Sequence, residues 1–359
     1  MGAPWSRLRK RIYPSNDRGS SEAGLINLIK RKAVAKMRSG QGIWISTGFS
    51  HGDKLQFSQQ FGITDVAIQS YDTSGIPSSG GKFELHDLVK LRLGIENFGM
   101  KLTALENVPS NFYDHIMLNG PKRDQQIENM IYTIRNIARA GIPIFGYNWE
   151  PSLVWRTKPE LIRGGAVATA FDENIAKEYP LSHDREYSEE EMWSNLEYWI
   201  KIITPIAEEE GIRLGIHPSD PPVPILGGIP RLFRSFAAYK RLIEIYPSDS
   251  NAIEFCQGSF SEMKDDIYEM IEYFVSRRKI LYVHFRNVSG PVPVFKEEFI
   301  NTGHVDMYKA MKIYHKHNFD GFFMDDHVPH THGDTEWGHR GRAFANGYIQ
   351  ALIEAVQKE

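Results

Sequence analysis

Four side chains able to bind a divalent cation stand in the second half of the chain: His217, Cys256, His284 and Asp326. Each closes a short run of apolar residues, at the point where the run gives way to a polar segment. The four segments are His217-Pro218-Ser219-Asp220, Cys256-Gln257-Gly258-Ser259, His284-Phe285-Arg286-Asn287 and Asp325-Asp326-His327. Two imidazoles, a thiolate and a carboxylate make a donor set suited to one divalent ion. Thiolate and imidazole favour zinc, iron(II) or cobalt by softness, and the carboxylate also admits manganese. A single histidine at a strand end is usually structural, and a lone cysteine is most often an inert core residue. Four donors at four successive strand ends are another matter, provided that the fold makes those ends neighbours.

Polar groups surround this set. Arg286 lies two residues past His284, where it suits either a bidentate grip on a substrate carboxylate or a salt bridge to Asp325 or another local acid. His327 directly follows Asp326 and is a candidate general acid or base, because imidazole titrates near neutral pH. Behind it, 330–342 is dense in titratable residues: His332, Asp334, Glu336, His339 and Arg340. Asn148 and Glu150 follow a fourth apolar run, and Glu106 and Asn107 a third. Glu106 is placed to orient a ligand histidine. Ser46 and His51 lie at or beyond the end of the first run. Each of these fits a pocket wall and an ordinary loop about equally.

The elements that must position these residues follow a rhythm from residue 42 onward. Short β-branched or aromatic runs at 43–46, 65–69, 101–105, 142–148, 213–217, 252–256, 281–285 and 321–325 predict eight strands. Helical stretches at 55–61, 88–98, 125–140, 189–210, 229–245, 265–278, 306–316 and 342–357 alternate with them. Alternating strand and helix imply a parallel sheet covered by helices, and eight such units close into a (β/α)8 TIM barrel, an α/β fold. Phe61-Gly62-Ile63, Ala140-Gly141-Ile142 and Glu210-Gly211-Ile212 repeat one boundary device, a glycine that stops the helix shortly before the next strand. No G-x-G-x-x-G follows the first strand, so a doubly wound sheet lacks support. Residues 151–190 form an insertion after strand four, and 288–304 a long loop after strand seven. Both leave the strand ends where barrel active sites form, as lids or as plain surface loops.

Residues 1–41 are basic and lack strand character, which predicts a basic N-terminal helical extension (helix over 21–38) ahead of a barrel spanning 42–359. With 359 residues and 41% hydrophobic content, the chain has material for one large core. A net charge of -3 gives no reason to expect nucleic acid as a partner. No apolar run reaches the length of a membrane span, and the N-terminus has no apolar stretch of a secretory signal, so no membrane partner and a cytoplasmic location are expected. One cysteine rules out an internal disulfide. A homo-oligomer is compatible with all of this.

In these residues the chain resembles the mannonate dehydratase family. The motifs agree in order over roughly residues 100–350. Glu106-Asn107-Val108-Pro109 resembles that family's Glu-Ser-Val-Pro. Arg135 to Asn148 resembles its Arg-Asn-Leu-Ala stretch running on to Tyr-Asn. Pro151 with Trp155-Arg156-Thr157, and His217-Pro218-Ser219-Asp220-Pro221-Pro222 with Gly228-Ile229-Pro230-Arg231, have similar counterparts, as do Cys256-Gln257-Gly258-Ser259, His284-Phe285-Arg286, Gly303 to Met307 and Asp326-His327.

The resemblance implies a metal-dependent hydro-lyase that removes water from D-mannonate to give 2-keto-3-deoxygluconate, in hexuronate catabolism. It implies His217, Cys256, His284 and Asp326 as metal ligands, Mn2+ as the expected ion, and His327 and Arg286 as catalytic residues. Asn148, Glu106, Asp220 and Arg231 fall to substrate binding. Three departures bear on the surroundings of the metal. Met324-Asp325 replaces an arginine-proline pair, Ser219 replaces an aspartate, and Trp337 stands where the family has a tyrosine. The alternative reading is another metal-dependent carbohydrate isomerase, epimerase or lyase on the same barrel. A scaffold that binds metal without catalysis is a third, and sparing all four ligands argues against it.

Overall fold

The computed structural model describes residues 36–44, 51–69 and 76–359. Eight strands close into a ring: β1 Arg38–Trp44, β2 Asp65–Gln69, β3 Lys101–Glu106, β4 Ile144–Tyr147, β5 Arg213–Ile216, β6 Asn251–Cys256, β7 Ile280–His284 and β8 Phe322–Met324. Each pairs in parallel with its sequence neighbours, and β8 returns to β1, so the barrel has no open edge. Between the strands run α1 His51–Gln60, α2 Leu85–Glu96, α3 Arg123–Arg139, α4 Glu189–Glu210, α5 Phe236–Ile245, α6 Ile267–Ser276, α7 Met307–Lys316 and α8 His339–Gln357. This is the expected (β/α)8 barrel.

Local chemistry explains the sharpest boundaries. Helix α4 occupies the predicted 189–210 because both its ends are specified. Ser188 Oγ accepts from Glu191 N at 3.1 Å while Glu191 accepts from Ser188 N at 2.8 Å, and Gly211 ends the helix at φ 68°. Its inner face buries Met192, Leu196, Trp199, Ile200 and Ile203. Strands β6 and β7 are buried at every position, as befits parallel strands covered on both sides.

Three elements depart from expectation. The first strand starts at Arg38, so the barrel takes the last four residues of the segment 1–41 assigned to the extension. Gly40 and Gly42 hid the strand signal. A Cβ on Gly40 would lie 2.2 Å from the Phe322 ring of β8, so the missing side chain is what lets β1 close against β8. The helix expected over 21–38 otherwise lies outside the described residues through Ala35, and so does Ser46. Helix α5 starts at Phe236 and not at 229, because residues 225–230 form a small hairpin and Ser235 caps the helix through Ala238 N. After β6 a short helix, Gln257–Glu262, had no counterpart in the pattern.

The two long segments at the C-terminal ends of the strands are joined to each other. Ala170–Asp172, within the insertion, pairs antiparallel with Val294–Lys296 of the loop after β7. Val167 exchanges two backbone hydrogen bonds with His330 of the loop after β8, at 3.0 and 2.8 Å. Together they build a rim above the ring of strand ends. No helix among the described residues is long and apolar enough to cross a membrane.

Gly40→Val forces a branched side chain into the Phe322 ring across the closing pair. Unfolding in urea is expected to show a loss of about 1–3 kcal/mol, and an unchanged midpoint would count against this packing.

Candidate metal centre

The ring brings the four predicted donors together. His217 extends β5 by one residue, its backbone N–H donating to Tyr147 O at 2.8 Å. Cys256 ends β6, His284 ends β7, and Asp326 lies two residues past β8. Ligand atoms of His217, Cys256 and His284 all fall within 4.8 Å of one another, and the Asp326 carboxylate is 4.0 Å from Cys256 Sγ and 3.6 Å from His284 Nδ1. Metal bonds of 2.0–2.3 Å put neighbouring donors about 3–4 Å apart, so only a small contraction separates this cluster from a coordination sphere.

The imidazoles are oriented from behind. His217 Nδ1 is 2.7 Å from Pro218 O, which can only accept, so Nδ1 carries the hydrogen and Nε2 faces the cluster. His284 is turned the other way. Its Nε2 is 3.0 Å from Glu106 Oε2 and 3.2 Å from Glu254 Oε1, which leaves Nδ1 buried without a hydrogen-bond partner and aimed at the cluster. An orphaned buried nitrogen beside a thiolate is what a cation site leaves behind. Burial opposes ionisation of Cys256, but Arg286, His217 and His284 outweigh it and hold the thiol well below its usual range. Burial likewise opposes charge on His217, yet Glu254 and the Cys256 thiolate lift it to about 9.

Glu106 therefore sits under His284, the orienting position suggested by the sequence. Its neighbour Glu254 was missed. Glu254 precedes Cys256 by two on β6, so the two share a face, and an acid inside a fully buried strand is itself a signal. It lies in the room left by Gly146, where a Cβ would be 2.7 Å from Glu254 Oε2 and from Tyr282 Oη. The two carboxylates divide their roles. Burial and the charge of Glu106 push Glu254 up to about 8, whereas His284 overcomes burial and holds Glu106 below its ordinary value.

Arg286 is not a substrate clamp in this structure. Only 3% exposed, it donates through Nε to Cys256 Sγ (3.3 Å), through Nη1 to Glu262 (3.1 Å) and Glu297 (2.6 Å), and through Nη2 to Asp220 (2.9 Å) and Ser259 (2.9 Å). All three guanidinium nitrogens are engaged by protein. Gly258 makes this fit, since a Cβ there would be 2.5 Å from the Arg286 side chain. The expected salt-bridge alternative is realised with Asp220, Glu262 and Glu297, while Asp325 pairs with Arg342 at 2.7 Å. Asp220, expected on the substrate, is 1% exposed and also takes a bidentate pair from Arg156 at 2.6 and 2.8 Å. Arg231 is fully buried against Glu150 and Leu153 O. Asn148 accepts from Tyr113 Oη at 2.9 Å. These groups have interior partners instead of a face on the cavity.

The cavity itself, about 790 Å³, opens over Asp326 and His327 and is lined by Trp44, Gln69, Lys54, Trp337 and Arg342, with His330, Glu336 and His339 at its wall. His327 is one-third exposed, its Nε2 3.6 Å from Asp326 Oδ2. Asp334 instead ties the loop, accepting from the backbone N–H groups of Thr335, Arg340 and Gly341. Lys54 was not singled out from the sequence. It lies on α1, where burial and then Arg342 bring its pKa down to about 8, against the opposing pull of Glu336.

Comparisons with known proteins bear on the family and the fold. A sequence model of the D-mannonate dehydratase (UxuA) family matches residues 44–181 and 177–359. A mannonate dehydratase of Streptococcus pneumoniae is 32% identical over 310 residues, covering 77% of this chain and 84% of that protein. The crystal structure of mannonate dehydratase from Streptococcus suis serotype 2 superposes with a TM-score of 0.81 at 28% identity, covering 90% of this chain and 94% of that one. A D-tagatose 3-epimerase-like protein, at 13% identity and a TM-score of 0.59, shares the fold.

Arg286→Met takes a counter-charge from Asp220 and Glu297, which keep Arg156, and removes the ion-pair partner of Glu262 and the donor to the thiolate. A loss of about 3–5 kcal/mol in equilibrium unfolding is expected; a variant as stable as the parent would show that Arg286 is not the counter-ion of this cluster.

Proposed function

Because the chain belongs to the D-mannonate dehydratase family, we propose that it eliminates water from D-mannonate to give 2-keto-3-deoxygluconate, with one divalent cation held by His217, Cys256, His284 and Asp326. The observation that carries this reading is the convergence of His217, Cys256 and His284, with the Asp326 carboxylate beside them, next to a cavity that Asp326 and His327 line. The donor set fits: a thiolate already stabilised as the anion, two imidazoles each with one ring nitrogen turned inward, and a carboxylate. Manganese is the ion we assign, with iron(II), cobalt and zinc compatible with the same donors.

The proton removed in such a reaction lies α to a carboxylate and is weakly acidic. A bound cation supplies positive charge against the negative charge that develops on the substrate. The protein's part is to position and to move protons. Glu106 and Glu254 hold the His284 ring, Pro218 O holds His217, and Arg286 keeps Cys256 ionised. Asp326, carried by the same loop as His327, keeps that imidazole beside the cluster. We assign His327 to protonate the C3 hydroxyl as it leaves, since it is the titratable group next to Asp326 that faces the cavity. Trp337 has no proton to exchange at the place of the family's tyrosine, so it forms a wall of the cavity.

Three measurements test this reading. Manganese-loaded protein given D-mannonate is expected to release a 2-keto-3-deoxy acid, and Cys256→Ala to release none. An isomeric sugar acid with no water lost would instead make the protein an isomerase or epimerase on this barrel. His327→Asn is expected to lower kcat by about 10²–10⁴-fold with a smaller change in KM; full activity would remove His327 from the mechanism. The third readout needs no turnover. Metal must displace the protons that the imidazoles carry beside the thiolate, so calorimetric titration in buffers of different ionisation enthalpy should show proton release near pH 7. The absence of buffer dependence would contradict the ligand set.

A further inference from the structure

On the reading above, the cavity admits an acid, yet Arg286, the arginine expected to grip its carboxylate, spends all three guanidinium nitrogens on protein partners. Arg156 is paired with Asp220 and Glu297, and Lys54 on the cavity wall is already partnered. Arg342, in the first turn of α8, differs. It lines the same cavity as Asp326 and His327, with 15% of its side chain exposed. Its Nη1 donates to Asp325 Oδ1 at 2.7 Å and its Nε to Trp337 O at 2.8 Å, and its Cζ stands 4.7 Å from the centre of the Trp337 ring. Its Nη2 makes no hydrogen bond with the described residues and is not sealed in the interior. A guanidinium carries five N–H donors in a rigid plane, so holding it at two nitrogens aims the N–H groups of the third.

The seat that aims it is itself buried. Asp325 is 1% exposed and also accepts from Gln41 Nε2 at 2.6 Å. Gln41 in turn accepts from Asn346, one turn beyond Arg342 on α8, at 2.9 Å. Asp325 thus ties Arg342 to β1 and α8, while its neighbour Asp326 stands beside the metal donors. The side-chain freedom that an arginine loses on gripping a ligand is here already lost in the folded protein, which favours binding.

We propose that Arg342, seated by Asp325 and Trp337 O, recognises the carboxylate of the sugar acid through Nη2 and sets the preference of this site for acids over uncharged sugars. The proposal rests on the dehydratase reading only for the identity of the ligand. Its basis is a fixed cation in the wall that Asp326 and His327 share, with an accessible donor that has no partner among the described residues.

Binding is the direct test. In a His327→Asn background, which slows turnover, manganese-loaded protein is titrated with D-mannonate and with its neutral amide, D-mannonamide. Arg342→Met leaves the buried Asp325 without its cation, so it is run beside Arg342→Met/Asp325→Asn, which removes both charges and keeps an acceptor for Gln41. Bound manganese is counted in each variant. Both are expected to lose about 10–100-fold in affinity for the acid, the range of one charged hydrogen bond, and to bind the amide as the parent does. Arg342→Lys, which keeps the charge without the planar seat, should lose only part of that. An unchanged ratio of acid to amide in a folded, metal-loaded variant overturns the proposal, and so does a parent that binds acid and amide alike. Equal loss of both ligands also overturns it, since Arg342 would then be shaping the wall and not reading charge. Turnover by the native chain separates the two readings. Product formation with an unchanged ratio keeps the dehydratase and discards this role of Arg342, whereas acid selectivity that falls with Arg342, without dehydration of D-mannonate, does the reverse. If the native, metal-loaded chain binds no sugar acid, both readings fall together.

Discussion

Burying a charge without its counter-charge is the constraint on which this molecule is organised. The interior of the barrel mouth holds Arg286, Asp220, Glu262 and Glu297 beside the thiolate of Cys256, all nearly inaccessible to water, with Arg156, 12% exposed, at their edge. No member is tolerable alone, since a lone buried ion costs several kcal/mol. The result is a lattice of ion pairs and hydrogen bonds, in which burial and the charge of Asp220 push Glu262 up toward its neutral form and Arg286 bridges from Cys256 to the loops. The same accounting reaches across the ring to Glu106 and Glu254, which share the burden on His284 by ionising differently. The lattice fixes the Cys256 side chain through several partners at once, and preorganised charge is the most effective kind in a site that must stabilise an anion.

That lattice also explains why the loops are ordered. Arg156 comes from the insertion after β4, Asp220 from the end of β5 and Glu297 from the segment after β7, so three loops are tied by ion pairs in addition to their antiparallel pairing. The three loops are thus joined by side chains as well as by backbone, and the cavity bounded by α1 and the loop after β8 lies beside them.

Much of this was legible in the sequence, for physical reasons. Strand β2 and helix α4 came out at their observed limits because an apolar run in one case, and a cap at each end in the other, mark the boundaries locally. The four candidate donors were readable as a cluster because the barrel turns a repeated position, the strand end, into a point in space. What the sequence did not show was the set of partners that lie far away in the chain. Arg286 looked like a hand extended to substrate because its three acids lie in other segments. Asp220 and Arg231 looked like site residues because they sit in motifs near the ligands. Glu254 was hidden by its place inside a strand, and Lys54 by a helix of unremarkable composition whose face toward Trp337 is set only when the ring closes.

Closure itself depends on a thin seam. Strands β1 and β2 are in register over five residue pairs, β1 and β8 over only two. Side chains make up the difference. Gln41 of β1 donates to Asp325 at 2.6 Å and accepts from Asn346 of α8 at 2.9 Å, while Arg38 N meets Gly321 O at 3.2 Å. The residues so joined are separated by 284 and 305 positions. During synthesis β1 must wait, that edge unsatisfied, for β8 and α8 to emerge. Contacts of such long separation are slow to form. The interval during which β1 stays uncovered is set by how fast the chain is synthesised, and throughout it the growing protein presents a strand edge to its surroundings.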